Sequence, residues 1–384
     1  MTEYILYYAT NREHIGNDRW HPEAYGTKFS DDGIENLRFG KLALEADDKE
    51  VAKHLNKKLK HLGRGDGEKL AGYLAKCAKS ARIEAYQETL RADISDKAQP
   101  DAKLGSKAMF ADLKVEMEQC SDVLVYIHGF NVSWHDAVGS ALALQLTLNA
   151  TEQADPKRKV LVVLFTWPSD GLALPFVSYK SDRSEAAGSG YAVGRAFLKV
   201  RDFLANLHDR VKSGEKLCGQ DIHLLCHSMG SFLLQHALRR LDAFTPGKAL
   251  PRLFEHIFLC AADVDDNALE PGQPLARVHE IASTVSVYHN RGDMAMVVSD
   301  YTKGNPERLG RAGTAHPFLL HNKVHQIDCS PIVTGIAEHS YYLCGQVKAD
   351  IRQSIDGMAQ NDRARKRTPT NNLPNVWRMV EEKT

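Results

Sequence analysis

Short runs rich in β-branched and aromatic residues recur along this chain at 4–8, 123–127, 160–165, 222–226, 256–259, 285–288 and 324–327, with longer helical patterns between them. Alternation of this kind predicts βαβ units around a mainly parallel sheet. Several runs are apolar throughout rather than alternating, as expected of strands covered by helices on both faces. The fold class is therefore α/β, with a buried central sheet flanked by helices.

The 384 residues carry 49 Lys+Arg against 49 Asp+Glu, 43% of them are hydrophobic and 26% charged. That balance argues against a nucleic-acid binder and against a disordered chain. No apolar run approaches the roughly 18 residues of a membrane span. The start, MTEYILYYATNREH, has no basic segment followed by an apolar stretch and cleavage site, so a cytoplasmic location is expected. Seven scattered cysteines without a CxxC pair read as reduced thiols.

Residues 1–48 read as the first strands of the main domain. Residues 49–105 break the rhythm with two helical patterns, joined by GRGDG at 63–67 and closed by a linker from 94. We read a helical hairpin insertion there, basic from Lys49 to Arg82, which makes a solvated face or a contact for an anionic partner. Residues 106–358 form the expected catalytic core. Residues 359–384, with RARKR at 363–367, read as a polar tail.

The segment 221–230, DIHLLCHSMG, is an apolar strand that runs into H-S-M-G and then into a helical pattern. A nucleophile elbow needs this strand, sharp turn and helix, with small neighbours that let the helix pass close to the strand. Ser228 is the expected nucleophile and Gly230 one of the small neighbours. Cys226 stands where the first glycine of such elbows is usual, and is expected to pack into the sheet. Upstream, the strand at 123–127 ends in His128-Gly129-Phe130-Asn131. Acyl transfer develops an oxyanion that two fixed backbone N–H groups commonly meet, and a loop of this type supplies one of them. The N–H groups of Phe130 and Met229 are the expected donors, with Gly129 allowing close approach, Asn131 bracing the loop and His128 bonded to backbone.

At these points the sequence resembles the α/β-hydrolase superfamily. It is most similar to a bacterial esterase- or lipase-like branch that carries T-N-R (Thr10, Asn11, Arg12), R-F-G (Arg38, Phe39, Gly40), H-G-F-N, F-x-W-P (Phe165, Trp167, Pro168) and H-S-M-G. The resemblance implies the α/β-hydrolase fold and the chain order nucleophile, acid, histidine. It points to Asp293 as the acid, with Asp263 the alternative, and to His339 as the base. His316 and His321 are weaker choices for that role, while His325, inside a strand, reads as a packed or surface residue.

Such a triad implies two-step hydrolysis of a carboxylic ester, with no metal or cofactor. His54 and His61 are poorly spaced as ligands, and no phosphate-binding GxxxxGK[ST] occurs. A lipase or phospholipase, a thioesterase or a peptidase shares the same machinery. A noncatalytic module that binds a partner through the basic hairpin is the reading from another class. The expected partner is a small ester or acyl substrate, without nucleic acid or membrane span, and the oligomeric state stays open. Leu172, Leu174, Phe176 and Val177 lie in a segment expected to line an acyl pocket or join the core, and the hairpin is expected to act as a lid or wall.

Overall fold

A computed structural model describes residues 1–59, 62–88, 104–117, 120–151, 158–169, 175–212, 220–245, 247–296, 307–334, 339–370 and 372–381, with backbone alone at 175–178 and 204–212. The strands are β1 (Thr2–Thr10), β2 (Arg12–Ile15), β3 (Ala24–Phe29), β4 (Arg38–Ala46), β5 (Lys58–Leu59), β6 (Gly63–Arg64), β7 (Arg82–Ala85) and β8 (Asp122–Ile127). They continue with β9 (Val160–Thr166), β10 (Asp221–His227), β11 (Phe254–Cys260), β12 (Ala282–His289), β13 (Val324–Asp328), β14 (Arg367–Pro369) and β15 (Val376–Met379). The helices used below are α1 (Asp48–Asn56), α2 (Gly67–Cys77), α3 (Gly105–Met117), α4 (Trp134–Asn149), α5 (Pro175–Lys212), α6 (Met229–Phe244) and a later helix, Gly345–Ile355.

Eleven of these strands make one sheet in the order β14-β15-β13-β12-β11-β10-β8-β9-β1-β4-β7. From β15 to β1 every neighbouring pair is parallel, while β4, β7 and β14 add antiparallel edges. β9 shows why the centre is parallel, since all seven of its residues are buried. Such a strand needs helices on both faces. One face buries Tyr8, Tyr126 and Leu164 against Leu74 of α2, Leu142 of α4 and Ile351. The other buries Val123, Val163 and Leu224 against Leu113 of α3, Phe197 of α5 and Leu233 of α6.

The chain runs from β8 through α4 to β9, then crosses back over β8 through α5 to reach β10. Strand order therefore reverses between β8 and β10. In open α/β sheets ligands sit at the carboxyl ends of the strands at such a point, and here those ends carry H-G-F-N and H-S-M-G.

The two helices expected after residue 49 are α1 and α2, but a β5–β6 ribbon links them and β7 follows as the sheet edge beside β4. Leu70 and Leu74 are fully buried in the core that α4 shares, so α2 belongs to the helical layer of that face. The linker lies outside the described residues up to 103. Residues from 363 onward differ from the polar tail read in the sequence. Arg367–Pro369 and Val376–Met379 are strands of the sheet, and the Arg365 and Arg367 side chains are fully buried against Asp350 at 2.7 and 3.1 Å. A buried carboxylate turns what composition reads as a solvated basic cluster into an internal clasp.

Candidate active site

β10 ends at His227, and α6 begins at Met229, so the whole change of direction falls on Ser228. Its φ is 52° and ψ −121°, a region that a residue with a Cβ enters only under constraint. Three backbone hydrogen bonds impose it: Ser228 N–H donates to Cys260 O at 2.9 Å, and Ser228 O accepts from Ser231 N at 3.0 Å and Asp263 N at 3.1 Å. The small neighbours are a steric requirement. A Cβ on Gly230 would lie 2.7 Å from Ile127 O, and one on Gly129 would lie 2.8 Å from Ser228 Cβ. Cys226 is fully buried in the α5–α6 face of the core, and burial pushes its thiol pKa up.

Asp293 follows β12 and is buried, at 1% exposure. One carboxylate oxygen, Oδ1, accepts from Ala295 N at 3.0 Å, which leaves Oδ2 to meet His339 Nδ1 at 2.7 Å. Because a carboxylate only accepts, His339 Nδ1 carries the proton and Nε2 presents its lone pair. The backbone O of His339 accepts from His227 Nε2 at 3.2 Å, and the two rings lie 4.6 Å apart. Burial drives the His227 imidazole pKa far down, and the neighbouring His339 ring lowers it further. Among the described residues, no hydrogen bond engages the Ser228 hydroxyl or His339 Nε2.

Asp263, the alternative acid, points elsewhere. Its Oδ2 accepts from Tyr179 OH at 2.8 Å, and its Oδ1 lies 3.9 Å from Arg308 Nε. The other histidines are also engaged away from Ser228: His316 with Glu270 at 2.8 Å, His321 stacked on His279, and His325 with Trp377 Nε1 at 3.4 Å.

The loop after β8 is held by buried polar groups. His128 Nδ1 donates to Gly129 O at 2.9 Å, its Nε2 meets Thr166 Oγ1 at 2.9 Å, and Trp167 stacks on the ring. Burial, with Arg12 adding to it, lowers the His128 pKa to about 3, so the ring is neutral. Asn131 has φ 58° and gives its N–H to Asp182 Oδ2 at 3.0 Å, while its side chain is exposed. The backbone N–H groups of Phe130 and Met229 have no acceptor among the described residues. The Phe130 ring meets Tyr179 edge-on at 5.6 Å.

Thr166, Ser169, Tyr179, Asp182 and His227 also belong to this arrangement and lie outside the sequence expectations. Thr166 and Ser169 flank the W-P pair of a motif already singled out, so a polar residue at a strand end was the available signal. Asp182 and Tyr179 sit in an ordinary helical pattern and carry none. Of the segment expected to line an acyl pocket, Leu172 and Leu174 lie outside the described residues, as do the side chains of Phe176 and Val177. No group of three or more His, Cys, Asp or Glu is placed to hold a metal ion among the described residues, and no helix there is long and apolar enough to cross a membrane.

Residues 105–347 match the model of a family described as "Alpha/beta hydrolase of unknown function (DUF900)". The chain is also 32% identical over 151 residues to an uncharacterised protein, alr1448, of Nostoc sp. (strain PCC 7120). That match covers 34% of this chain and 35% of the Nostoc protein, so the chain spans about a third of the relative's length.

Proposed function

We propose a serine-hydrolase mechanism for this chain, which belongs to the α/β-hydrolase family of unknown function. The observation that carries the reading is the 2.7 Å contact between His339 Nδ1 and buried Asp293, on loops at the same sheet edge as the strained Ser228. Asp293 fixes the imidazole tautomer, and His339 Nε2 takes the proton as Ser228 Oγ attacks the substrate carbonyl. The oxyanion so formed accepts from Phe130 N–H and Met229 N–H. Collapse of the tetrahedral adduct passes the proton from His339 to the departing alcohol and leaves an acyl-Ser228 ester. Water, deprotonated by His339, then attacks that ester and releases the acid. Small carboxylic esters are the proposed substrates.

Steady-state turnover of p-nitrophenyl esters of graded chain length tests this reading. Wild type is expected to hydrolyse at least one of them, and Ser228→Ala and His339→Ala to fall by about 10⁴-fold or more in kcat. A rate that rises sharply when long-chain esters aggregate assigns a lipase. Turnover that survives intact in Ser228→Ala overturns the mechanism, and no turnover by wild type of any ester or thioester favours the noncatalytic reading.

A further inference from the structure

The T-N-R segment at the end of β1 has no role in the chemistry above, yet Arg12 is among the most buried charged residues of the chain, at 1% exposure. Its guanidinium Nε donates to Thr166 Oγ1 at 2.9 Å. Nη1 donates to Gly26 O at 2.9 Å and Ser169 O at 3.1 Å. Nη2 donates to Val132 O at 2.8 Å. Three segments, at Gly26, Val132 and Thr166 to Ser169, thus meet on one planar fork, and one of them is the loop that carries Phe130.

The same loop is gripped from its other side. Asp182, fully buried on α5, accepts from Asn131 N at 3.0 Å and from the Ser169 hydroxyl. Ser169 Oγ in turn accepts from Val132 N at 3.0 Å. Asp182 and Glu185 supply the negative charge that faces the guanidinium. Thr166 Oγ1, which Arg12 holds, is also the partner of His128 Nε2. Between residues 129 and 132 the network therefore fixes the carbonyls of 129 and 132 and the N–H groups of 131 and 132. The N–H of Phe130 has no acceptor among the described residues.

We infer that Arg12, acting with Asp182 and Ser169, is a positioning residue that sets the oxyanion loop 128–132 so that the Phe130 N–H stays aimed for catalysis. A buried charge network is weak evidence for stability, since desolvation offsets most of its attraction. Its geometric worth is different: a rigid fork satisfies several carbonyls at once, which a lysine ammonium cannot reproduce. Oxyanion donors act through preorganisation, so slack in the loop appears in the chemical step. The inference rests on the serine-hydrolase reading for its kinetic consequence but not for the bracing itself.

Two readouts on the full chain test it. Hydrogen exchange compares peptides spanning 122–133 and α6 in wild type, Arg12→Lys and Ser169→Ala, while ester kinetics and arylboronic acid binding report on the oxyanion site. Arg12→Lys is expected to exchange faster at 128–132 with α6 unchanged. Its kcat is expected to fall about 10- to 100-fold with KM within about twofold, and boronate affinity to weaken in step with kcat/KM. Ser169→Ala is expected to move the same way by a smaller factor, and it decides the matter if Arg12→Lys does not fold. A folded Arg12→Lys variant with wild-type exchange at 128–132, or with unchanged kcat and only a lower melting temperature, overturns the inference. A wild type inert to every ester overturns the hydrolase reading instead, and exchange at 128–132 still decides the brace.

Discussion

At Ser228 a residue with a side chain occupies backbone space that costs about 1–3 kcal/mol, and the bonds to Cys260, Ser231 and Asp263 hold it there. Strain of this kind predicts that Ser228→Gly resists denaturant better than Ser228→Ala, since glycine alone enters that region freely. Equal midpoints for the two variants count against strain at the elbow. The two acid candidates separate by their contacts. Asp293→Asn is expected to lower kcat by about 10⁴-fold through loss of the imidazole orientation. Asp263→Asn loosens the Tyr179 and Arg308 contacts, so its main effect is expected in melting temperature; a kcat loss matching that of Asp293→Asn reverses the assignment. Burial also holds His256 and His325 neutral, with pKa values lowered to about 3 and about 4. Both are lowered from an unfolded value of about 6.5, so the stability they contribute is complete above that pH and is lost as pH falls toward 4 and 3. Melting temperature is therefore expected to drop between pH 7 and pH 4.5, and less so in His325→Gln; a profile unchanged by that substitution argues against its part in the acid limb.

The element whose position departs most from the sequence reading is the C-terminal pair β14 and β15. Asp350, on the helix Gly345–Ile355, accepts from Tyr288 OH at 2.6 Å as well as from Arg365 and Arg367, and Arg367 lies 4.8 Å from the Trp377 ring centroid. Asp350→Ala leaves two guanidiniums buried without their carboxylate and is expected to cost about 3–5 kcal/mol in urea unfolding; a loss under about 1 kcal/mol shows that water reaches the clasp. The central strands were legible because both faces are buried, which leaves apolar β-branched runs such as Val160–Thr166. β4 falls within residues 1–48, read as first strands, but carries no run of its own that marks it: its buried Leu42, Leu44 and Ala46 alternate with less buried neighbours, and Lys, Glu and Ala suit a helix as well. β15 has four residues, too few for a period to show.

Over the whole molecule, the zero net charge conceals cations that are structural rather than solvated. Arg12, Arg308, Arg352, Arg365 and Arg367 are all buried, and Arg12, Arg308 and Arg352 are held by groups distant in sequence. That explains which parts of the site the sequence disclosed. Ser228, the H-G-F-N loop and Gly230 announce themselves because a sharp turn needs particular residues within a few positions. The network around Arg12 joins residues 154 and 157 positions apart, and no local pattern encodes such a meeting. Asp293 and His339, proposed as acid and base, rest on a family order of residues, to which the structure adds the contact between them. The most direct measurement of the central claim is mass-spectrometric mapping of a fluorophosphonate probe on the intact protein, in wild type and in Ser228→Ala. One adduct per chain is expected on the peptide that contains Ser228, and none in the variant. An adduct on any other residue, equal in both proteins, contradicts it.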